Sequence, residues 1–341
     1  MIVHYHYYWV WKYVAFAVLA AILPFVALIV LKIFQKFSSG KCRSRVCLKG
    51  KTAIVTGGSH GIGYETALSL ASRGCRVIIA DKCDGAKAVN KIIEYTNNEE
   101  VLTKHLDLSS LQSVRKFAKE INDTESRLDI LINNAGVGLA GSKHTDDGLQ
   151  KTMQVNHFGP FLLTHLLTDL LKKSAPSRII FVSSALAFCS YLSLANLNPP
   201  KEQKLTMIGS SFVYGNSKLC NIITANGFAE KLKDSGVTSN SLHPGLVITH
   251  IYKKSAKILG WQTVENIFRA TILYFYGKNV EEGAQTTIHL AVSNKMKEVT
   301  GKHFWDCRAF PMPPGTWNQQ FCNDIWEESE KLVNLKETEK I

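Results

Sequence analysis

The first 51 residues contain no aspartate or glutamate, although they hold eight lysine and arginine residues. The chain carries a net charge of +12, so this stretch supplies +8 and the remaining residues about +4. The basic excess is confined to one end, next to an apolar segment, whereas a DNA-binding surface needs basic side chains spread over a folded face. We therefore expect no nucleic-acid partner.

The eight cysteines form no CxxC pair, and none combines with histidine at the spacing of a zinc ligand set. This pattern disfavours the common zinc modules, and we predict no metal site. Free thiols in a reducing compartment are expected instead. Internal repeats and low-complexity tracts are also lacking, and 45% of the residues are hydrophobic. The composition is that of a globular chain with a substantial core.

Residues 13–31 contain no charged residue. As a helix this stretch would be about 28 Å long, close to the thickness of a bilayer core. Tyrosines and tryptophans precede it, Pro24 lies within it, and basic residues follow it. We predict a single-pass membrane anchor, with the main domain on the cytosolic face and the endoplasmic reticulum as the default membrane. A cleaved signal peptide and a buried helix are the alternatives.

After Lys51, apolar runs of strand length alternate with helical patterns. The predicted strands are 52–57, 75–81, 101–108, 128–136, 178–185, 237–245 and 301–307. The predicted helices are 64–74, 85–97, 109–124, 149–174, 214–236 and 281–293. This alternation predicts an α/β fold, a doubly wound parallel seven-stranded sheet of the Rossmann type, preceded by a transmembrane helix. The expected divisions are 1–50 (anchor and basic linker), 51–311 (Rossmann-fold catalytic domain) and 312–341 (C-terminal helix and tail).

A glycine cluster, TGGSHGIG at 56–63, lies between the first predicted strand and the first predicted helix. Gly57, Gly61 and Gly63 are spaced TGxxxGxG. Glycines at such a turn let the backbone approach a pyrophosphate, whose charge the helix N-terminus stabilises. The alternative is a plain turn, which the position between strand and helix disfavours.

Asp81 closes the second predicted strand, 18 residues after Gly63. A carboxylate there accepts hydrogen bonds from an adenosine ribose and repels a 2′-phosphate, which favours NAD. Lys82 argues weakly for NADP. We predict NAD as the preferred cofactor and NADP as the alternative cofactor. The alternative interpretation of Asp81 and Lys82 is that they are solvated side chains at the end of a strand.

Several motifs occur in the order of a known family: TGGSHGIG, Asp107 in HLDL, NNAG at 133–136, Asn156 in VNHFG, Ser184, YGNSK at 214–218 and HPGLVIT at 243–249. Over roughly residues 50–310 the chain resembles the short-chain dehydrogenases/reductases. It looks most like the membrane-bound retinol dehydrogenase branch and its relatives that act on long isoprenoid alcohols. That closer resemblance depends on the anchor and on CRSRVCLKGKTAIVTG, FLLTHLL, YGNSKL and SLHPG.

Tyr214 and Lys218 are four residues apart, which places them on one face of a helix. A neighbouring ammonium favours tyrosinate, and oxidation of an alcohol requires a base for the hydroxyl proton. The YxxxK pattern also occurs at Tyr8/Lys12 and at Tyr274/Lys278. We select Tyr214 because it is predicted to open the helix between the fifth and sixth strands. The resemblance implies that Lys218 also holds the nicotinamide ribose.

Two further catalytic residues are implied by the resemblance. Ser184, at the end of the fifth strand, would orient the substrate oxygen, and the adjacent Ser183 is the alternative. Asn156 would kink a helix, and its carbonyl would hold a water that relays protons to the lysine. His157 and His243 are interpreted as structural residues.

The resemblance also implies a cofactor site. Asp107 would bond adenine, with an N-cap as its alternative role, while Val247 and Thr249 would meet the nicotinamide amide. The predicted cofactor-binding residues are Gly57, Ser59, His60, Gly61, Ile62, Gly63, Asp81, Lys82, Asp107, Leu108, Asn133, Ala135, Gly136, Tyr214, Lys218, Pro244, Gly245, Val247 and Thr249.

The sequence therefore predicts an NAD(P)-dependent enzyme that interconverts a lipophilic alcohol and its aldehyde or ketone. Retinol and retinal are the first choice; polyprenols, steroids and other isoprenoid alcohols are alternatives. Residues 251–279 are apolar and basic and would cover a greasy substrate drawn from membrane lipid, or would form an amphipathic helix packed on the sheet. The other hypotheses are a catalytically silent nucleotide-binding scaffold and a reductase of soluble substrates tethered to a membrane.

Overall fold

The computed structural model describes residues 2–247 and 277–341. The chain begins with a helix, α1 (Ile2–Ser38), followed by an extended linker that leads to the first strand. Large apolar side chains of α1, among them Trp11, Phe16 and Leu23, are exposed. Within the described part of the chain, no helix has the length and apolar character needed to cross a membrane.

Eight strands of the described residues form one sheet. They are β1 (Thr52–Thr56), β2 (Arg76–Asp81), β3 (Val101–His105), β4 (Ile130–Asn133), β5 (Ser177–Val182), β6 (Val237–His243), β7 (His303–Trp305) and β8 (Arg308–Phe310). Their order is β3-β2-β1-β4-β5-β6-β7-β8, and the first seven in this order are parallel. This is a Rossmann-like sheet, as the alternating sequence pattern predicts.

The prediction of seven strands was wrong by one, because β8 pairs antiparallel with β7. Asp306 and Cys307 join the two strands and have φ angles of +51° and +60°. A two-residue connection with both residues at positive φ reverses the chain directly into a hairpin. Neither residue is glycine, so the sequence carries no strong signal for this turn.

Helices cover both faces of the sheet. The described helices that follow α1 are α2 (Gly61–Ala71), α3 (Ala86–Thr96), α4 (Leu111–Thr124), α5 (Lys151–Met153), α6 (Gly159–Lys173), α7 (Met207–Lys231), α8 (Val280–Val292) and α9 (Gln319–Leu332). Short 3₁₀ helices lie at Ala185–Cys189, Leu194–Asn196, Asn294–Met296, Pro314–Thr316 and Glu337–Glu339, and a π-helical turn at Gln154–Phe158 joins α5 to α6.

The start of α7 corrects a second prediction. Tyr214 does not open this helix, which begins seven residues earlier at Met207. The hydroxyl of Thr206 accepts a hydrogen bond from the Gly209 amide at 3.1 Å and so caps the N-terminus. Tyr214 therefore lies on the third turn of a long helix, which holds its backbone more firmly than a helix end would.

The core consists of two apolar layers, one on each face of the sheet. Successive side chains along a strand point to opposite faces. Ile54 accordingly packs with α4, α6 and α7, whereas Val55 packs with α2, α3 and α8. Both residues are fully buried. Because both faces are covered, the central parallel strands β1, β2, β4 and β5 are mostly apolar in their interiors, as their sequences predict. β6 is also buried but contains mainly polar residues.

The C-terminal helix α9 belongs to the first of these layers. Trp326 packs edge-on against Phe161 and Phe228, with ring centroids 4.9 and 5.0 Å apart. Its ring also lies over Gly227, where an added Cβ would approach it to 2.4 Å. The segment after β8 thus completes the core beside α6 and α7.

Candidate active site

The glycine-rich turn connects β1 to α2 at the carboxyl edge of the sheet. Gly57 and Gly61 have φ angles of +64° and +62°, a region that favours glycine. A Cβ at Gly63 would lie 2.2 Å from the carbonyl oxygen of Gly57, so only glycine fits there. His60 is the exposed N-cap residue of α2, and Ile62 packs against the apolar layer beneath. The turn therefore brings backbone amides and a helix N-terminus together, which suits a phosphate group.

Asn134 braces this turn, and the sequence reasoning missed it. Its side-chain amide donates to the carbonyl oxygens of Thr56 at 2.8 Å and Gly57 at 3.3 Å. The Thr56 hydroxyl in turn accepts from the amides of Asn134 and Ala135 at 2.9 and 3.0 Å. The NNAG motif could have pointed to Asn134. This second asparagine of the motif directly follows β4, and β4 lies next to β1, at whose end the glycine-rich turn begins.

Asp81 lies at the end of β2, directly behind the glycine-rich turn. It is 8% exposed, and its two carboxylate oxygens accept from the amides of Ser59 at 3.3 Å and Cys83 at 3.2 Å. The Ser59 hydroxyl is buried and has no hydrogen-bond partner among the described atoms. An unpaired buried hydroxyl is costly unless a ligand satisfies it, and a phosphate or ribose oxygen at this turn would do so.

Lys82 and Asp107 form an ion pair across the ends of β2 and β3, with Nζ 2.6 Å from Oδ2. Asp107 also accepts from the amide and hydroxyl of Ser109. Burial tends to raise the pKa of Asp107, but the hydrogen bonds from Lys82 and Ser109 outweigh it, so its pKa is lowered. The lysine that argued weakly for NADP is thus engaged by a residue predicted to bond adenine.

The remaining predicted adenosine-side residues follow β3 and β4. Leu108 is buried, and its carbonyl lies close against Gly159. The Asn133 amide nitrogen donates to Thr164 at 3.0 Å, while its buried oxygen finds no partner within the described residues. An added Cβ at Gly136 would lie 3.3 Å from Oδ1 of Asn156 and 3.4 Å from Nζ of Lys218. The absence of a side chain at Gly136 therefore lets the loop after β4 lie close to the lysine.

Tyr214 and Lys218 lie together on α7, as their spacing predicts. Nζ of Lys218 is 5.7 Å from the centre of the Tyr214 ring. The lysine is 4% exposed, and its ammonium donates to the carbonyl of Val182 at 3.0 Å. Burial lowers the pKa of Lys218 to about 8. At neutral pH the ammonium therefore stays charged beside the phenol, which favours the tyrosinate form.

The two serines after β5 have different surroundings. The Ser183 hydroxyl is buried and donates to the backbone carbonyl of Lys218 at 2.6 Å, a structural contact that supports α7. Ser184 is half-buried, and among the described residues its hydroxyl accepts one long bond, 3.3 Å, from the Leu186 amide. This geometry favours Ser184 as the residue available to a substrate oxygen.

His243 holds the backbone next to Ser184. Its Nδ1 accepts from the Ala185 amide at 3.1 Å, and its ring meets Trp305 edge-on with centroids 4.6 Å apart. Burial lowers the pKa of His243 to about 3, so the ring is neutral and can accept at Nδ1. The histidine acts as a fixed support for the serine loop.

Asn156 lies at the middle of the π-helical turn and is fully buried. Its side chain accepts from the Val137 amide at 2.8 Å and donates to the Val137 carbonyl and to the Ser217 hydroxyl, both at 3.0 Å. Asn156 thereby links the loop after β4 to α7, beside Lys218. A π-helical turn widens the helix at this point, and such turns are frequent at functional sites.

The residue after Asn156 is tied to the C-terminal helix. Nε2 of His157 lies 2.8 Å from the hydroxyl of Ser329 on α9, and Nδ1 lies 3.5 Å from that of Thr224. Burial lowers the pKa of His157 to about 3, so the ring is neutral. The segment after β8, to which the sequence assigned no role, therefore supports the π-helical turn.

The turn after β6 completes the candidate cofactor site. Pro244 is buried, Gly245 has a φ of +90°, and Val247 pairs with Lys278 in a parallel bridge. Thr249 lies outside the described residues, as does the Tyr274 of the third YxxxK pattern. Most of segment 251–279, whose coverage of the substrate was predicted, also lies outside them.

These groups share the edge where the carboxyl ends of β1, β2, β4, β5 and β6 meet. The strand order reverses between β1 and β4, and such a switch point forms the crevice in which α/β sheets bind ligands. The glycine-rich turn, where an added Cβ at Gly63 would clash with the Gly57 carbonyl, and the unpaired Ser59 hydroxyl fit a nicotinamide dinucleotide. When bound, that cofactor would supply or accept a hydride, and the predicted base, cation and serine lie at the same edge of the sheet.

Comparisons with known proteins identify the class of this chain. The model of the short chain dehydrogenase family matches residues 51–196. Relatives more than 30% identical align over nearly its whole length. The chain therefore belongs to the short-chain dehydrogenase/reductase family, and it is an NAD(P)-dependent oxidoreductase.

The proteins to which this chain is most similar in sequence include retinol dehydrogenases. Retinol dehydrogenase 11 of Homo sapiens is 38% identical, over 94% of this chain and 98% of its own length. Retinol dehydrogenase 12 of Bos taurus is 36% identical, over 95% of this chain and 99% of its own. Among solved structures, the RhlG/NADP active-site complex of Pseudomonas aeruginosa is 27% identical with a TM-score of 0.58, covering 76% of this chain and 95% of that one.

Proposed function

We propose that this chain interconverts retinol and retinal with a nicotinamide dinucleotide. The observation that carries the proposal is the buried Lys218 ammonium beside the Tyr214 ring at the edge of the sheet. The retinol dehydrogenases that align over nearly the whole chain support the retinoid substrate. Exposed apolar side chains near the site, including Leu186, Ile208 and Phe212, suit a lipophilic molecule.

In the proposed arrangement Tyr214 takes the hydroxyl proton of the alcohol, because the Lys218 ammonium stabilises its phenolate. Ser184 holds the substrate oxygen, and Asn156 keeps the loop after β4 in register with α7. The glycine-rich turn and the predicted residues after β2, β3, β4 and β6 hold the dinucleotide. Residues 51–311 then form the catalytic domain, residues 1–50 its anchor and linker, and residues 312–341 its C-terminal support.

Substrate preference tests this function. Full-length chain in microsomes is assayed with retinol, a polyprenol, a steroid alcohol and a small alcohol, each with NAD and NADP. We expect kcat/KM for retinol to exceed that for the small alcohol at least about tenfold, since burying two methylene-sized groups already contributes that much. Equal values for all four would favour a tethered reductase of soluble substrates. Dinucleotide binding without turnover of any alcohol would favour a silent scaffold.

We also propose that NAD is preferred over NADP because of Asp81. The Asp81→Ala variant should raise the ratio of kcat/KM with NADP to that with NAD by roughly tenfold, since a carboxylate at this place repels a 2′-phosphate. Asp84→Ala is the matched control, because Asp84 also accepts a backbone amide, that of Ala86 at 2.9 Å, but is exposed. An unchanged ratio in Asp81→Ala would mean that this carboxylate does not face the ribose.

We propose that residues 13–31 anchor the chain to a membrane, with the catalytic domain on the cytosolic side of the endoplasmic reticulum. Exposed apolar side chains of α1 and the basic linker after it support this. Alkaline carbonate should leave the wild-type chain in the membrane pellet. The double variant Leu19→Arg/Leu23→Arg should move to the supernatant, because each arginine costs about 2.5–3.5 kcal/mol in a bilayer. The control variant Tyr95→Arg should stay in the pellet, because Tyr95 is an exposed residue on α3 outside the anchor. Release of the wild-type chain into the supernatant would contradict the membrane anchor.

A further inference from the structure

Lys278 is a buried cation that has no part in the proposed chemistry. It directly precedes the N-cap residue of α8 and is 4% exposed. Its backbone amide donates to the Leu246 carbonyl at 2.7 Å. Its side chain lies along Gly245, where an added Cβ would be 2.9 Å from Cδ and 3.2 Å from Nζ. Lys278 thus contacts the turn after β6 through both its backbone and its side chain.

The ammonium of Lys278 forms an ion pair with Oδ1 of Asp306. Asp306 is the first residue of the β7–β8 turn, and its side chain is 25% exposed. Because His243 of β6 pairs with Trp305 of β7, the residues that follow them, Pro244 and Asp306, leave the sheet side by side. The ion pair therefore joins two adjacent turns at the edge that carries the site.

Asp306 also holds the N-terminal linker. The Gly40 amide donates to the same oxygen, Oδ1, at 3.3 Å. An added Cβ at Gly40 would lie 2.0 Å from the Asp306 carbonyl oxygen, so the linker runs against this turn at a distance only glycine allows. A continuous set of contacts thus leads from the linker after α1, through Asp306 and Lys278, to Gly245.

Gly245 needs external support because it has no side chain and adopts a φ of +90°. The methylenes of Lys278 pack on its Cα face, and the Asp306 carboxylate fixes where they lie.

We propose that Lys278 is a positioning residue: held by Asp306 and the docked Gly40, it fixes the Pro244–Gly245 turn in the conformation that binds the nicotinamide end of the dinucleotide. The inference rests on the proposed cofactor site. Its consequence is that docking of the N-terminal linker and affinity for the dinucleotide are coupled. Coupling between two sites is reciprocal, so bound dinucleotide also stabilises the docked linker.

A double-mutant cycle tests the proposal on full-length chain in detergent. Lys278→Met, Asp306→Asn and the double variant are titrated with NADH and NADPH by fluorescence, and kcat is measured at saturating dinucleotide. Each single variant should raise the Kd roughly tenfold, and the double variant little more, because both remove one interaction. The kcat should change less than about twofold. Asp306→Asn keeps the shape and an acceptor for Gly40, so it remains informative if Lys278→Met folds poorly.

The matched pair is Lys119 and Asp123, which form an exposed ion pair on α4. Lys119→Met and Asp123→Asn should leave the dinucleotide Kd unchanged. A merely structural ion pair would lower the thermal midpoint of the Lys278 and Asp306 variants without changing Kd, and that result would overturn the proposal. If wild type itself bound neither dinucleotide, the proposed function would fail before this inference was reached.

The linker is tested by Gly40→Ala, whose Cβ cannot fit against Asp306. We expect a several-fold higher Kd in this variant and no further increase when it is combined with Asp306→Asn. Gly209→Ala is the control, since its Cβ would meet nothing closer than 3.5 Å. An unchanged Kd in Gly40→Ala would remove the linker from the proposal.

Discussion

Replacing Tyr214 by phenylalanine should lower turnover by about 10²- to 10⁴-fold, the range expected when a general base is removed. The ring and its packing on α7 remain, so the variant should fold and bind dinucleotide with a Kd within a few-fold of wild type. The measurement is kcat with retinol in microsomes, together with a fluorescence titration of NADH.

Tyr191→Phe is the control for this variant. Tyr191 also follows β5 but is 77% exposed, so loss of its hydroxyl should leave kcat unchanged. Equal turnover of wild type and Tyr214→Phe would exclude the tyrosine as the base, even if the fold and the dinucleotide site were intact.

Replacing Lys218 by methionine should lower turnover at least about 10²-fold and yet make the protein more stable. Burial lowers the pKa of Lys218 to about 8 from an ordinary 10.5, a shift that corresponds to a cost on the order of 3 kcal/mol at pH 7. Methionine fills a similar volume without a charge, so the free energy of unfolding should rise by about 1–3 kcal/mol. The Val182 carbonyl keeps a donor in the side-chain amide of Asn221 at 3.3 Å.

The pH dependence of this gain has a definite sign. The folded-state pKa of Lys218 lies below the unfolded one, so between about pH 8 and pH 10.5 the unfolded state binds more protons. This group then makes wild type more stable as pH rises through that window, and its full cost is present below pH 8. The stability difference between Lys218→Met and wild type should therefore be largest at pH 7 and smaller at pH 9.5.

Urea denaturation at the two pH values, without added dinucleotide, measures this difference. Lys231→Met is the matched control, because Lys231 lies on the same helix but is exposed. Lys231→Met should show neither the increase in the free energy of unfolding nor its change between pH 7 and pH 9.5. A Lys218→Met variant that is less stable than wild type at pH 7 would mean that the ammonium is compensated by contacts stronger than its bond to Val182.

The sequence predicted the features that depend on neighbouring residues. The apolar strand runs and the glycine spacing follow from local patterns, and seven strands of the sheet are parallel, as predicted. The four-residue spacing placed Tyr214 and Lys218 on one face of α7. These features are readable because periodicity and backbone conformation act over a few residues.

The sequence-based predictions were wrong or incomplete in two situations. In one, the residue that determines a feature is distant in the chain; in the other, a helix cap lies before the predicted start of the helix. The start of α7 depends on the Thr206 cap, which lies in residues 186–213, where no helix or strand was predicted. The β8 strand depended on a turn of two non-glycine residues at positive φ. Asn134 was passed over within NNAG, because its contacts to Thr56 and Gly57 appear only when β1 and β4 lie side by side.

Two distant contacts show the same limit. Lys278 belongs to a YxxxK pattern that was not selected as the catalytic pair. Its role could not be predicted from the sequence, because its partner Asp306 is 28 positions away and Gly40 is farther still. His157 was interpreted as structural, but its contact with Ser329 spans 172 positions and could not be assigned.

By itself, the sequence determined the class of fold, the glycine-rich turn and the spacing of the base and its cation, because short-range sterics and periodicity fix each of them. Tertiary structure decided which serine hydroxyl remains available, how far the Lys218 ammonium is desolvated, and which residues hold the turn after β6. These properties depend on burial and on contacts between elements far apart in the chain, and they arise only when the sheet and its helices pack together.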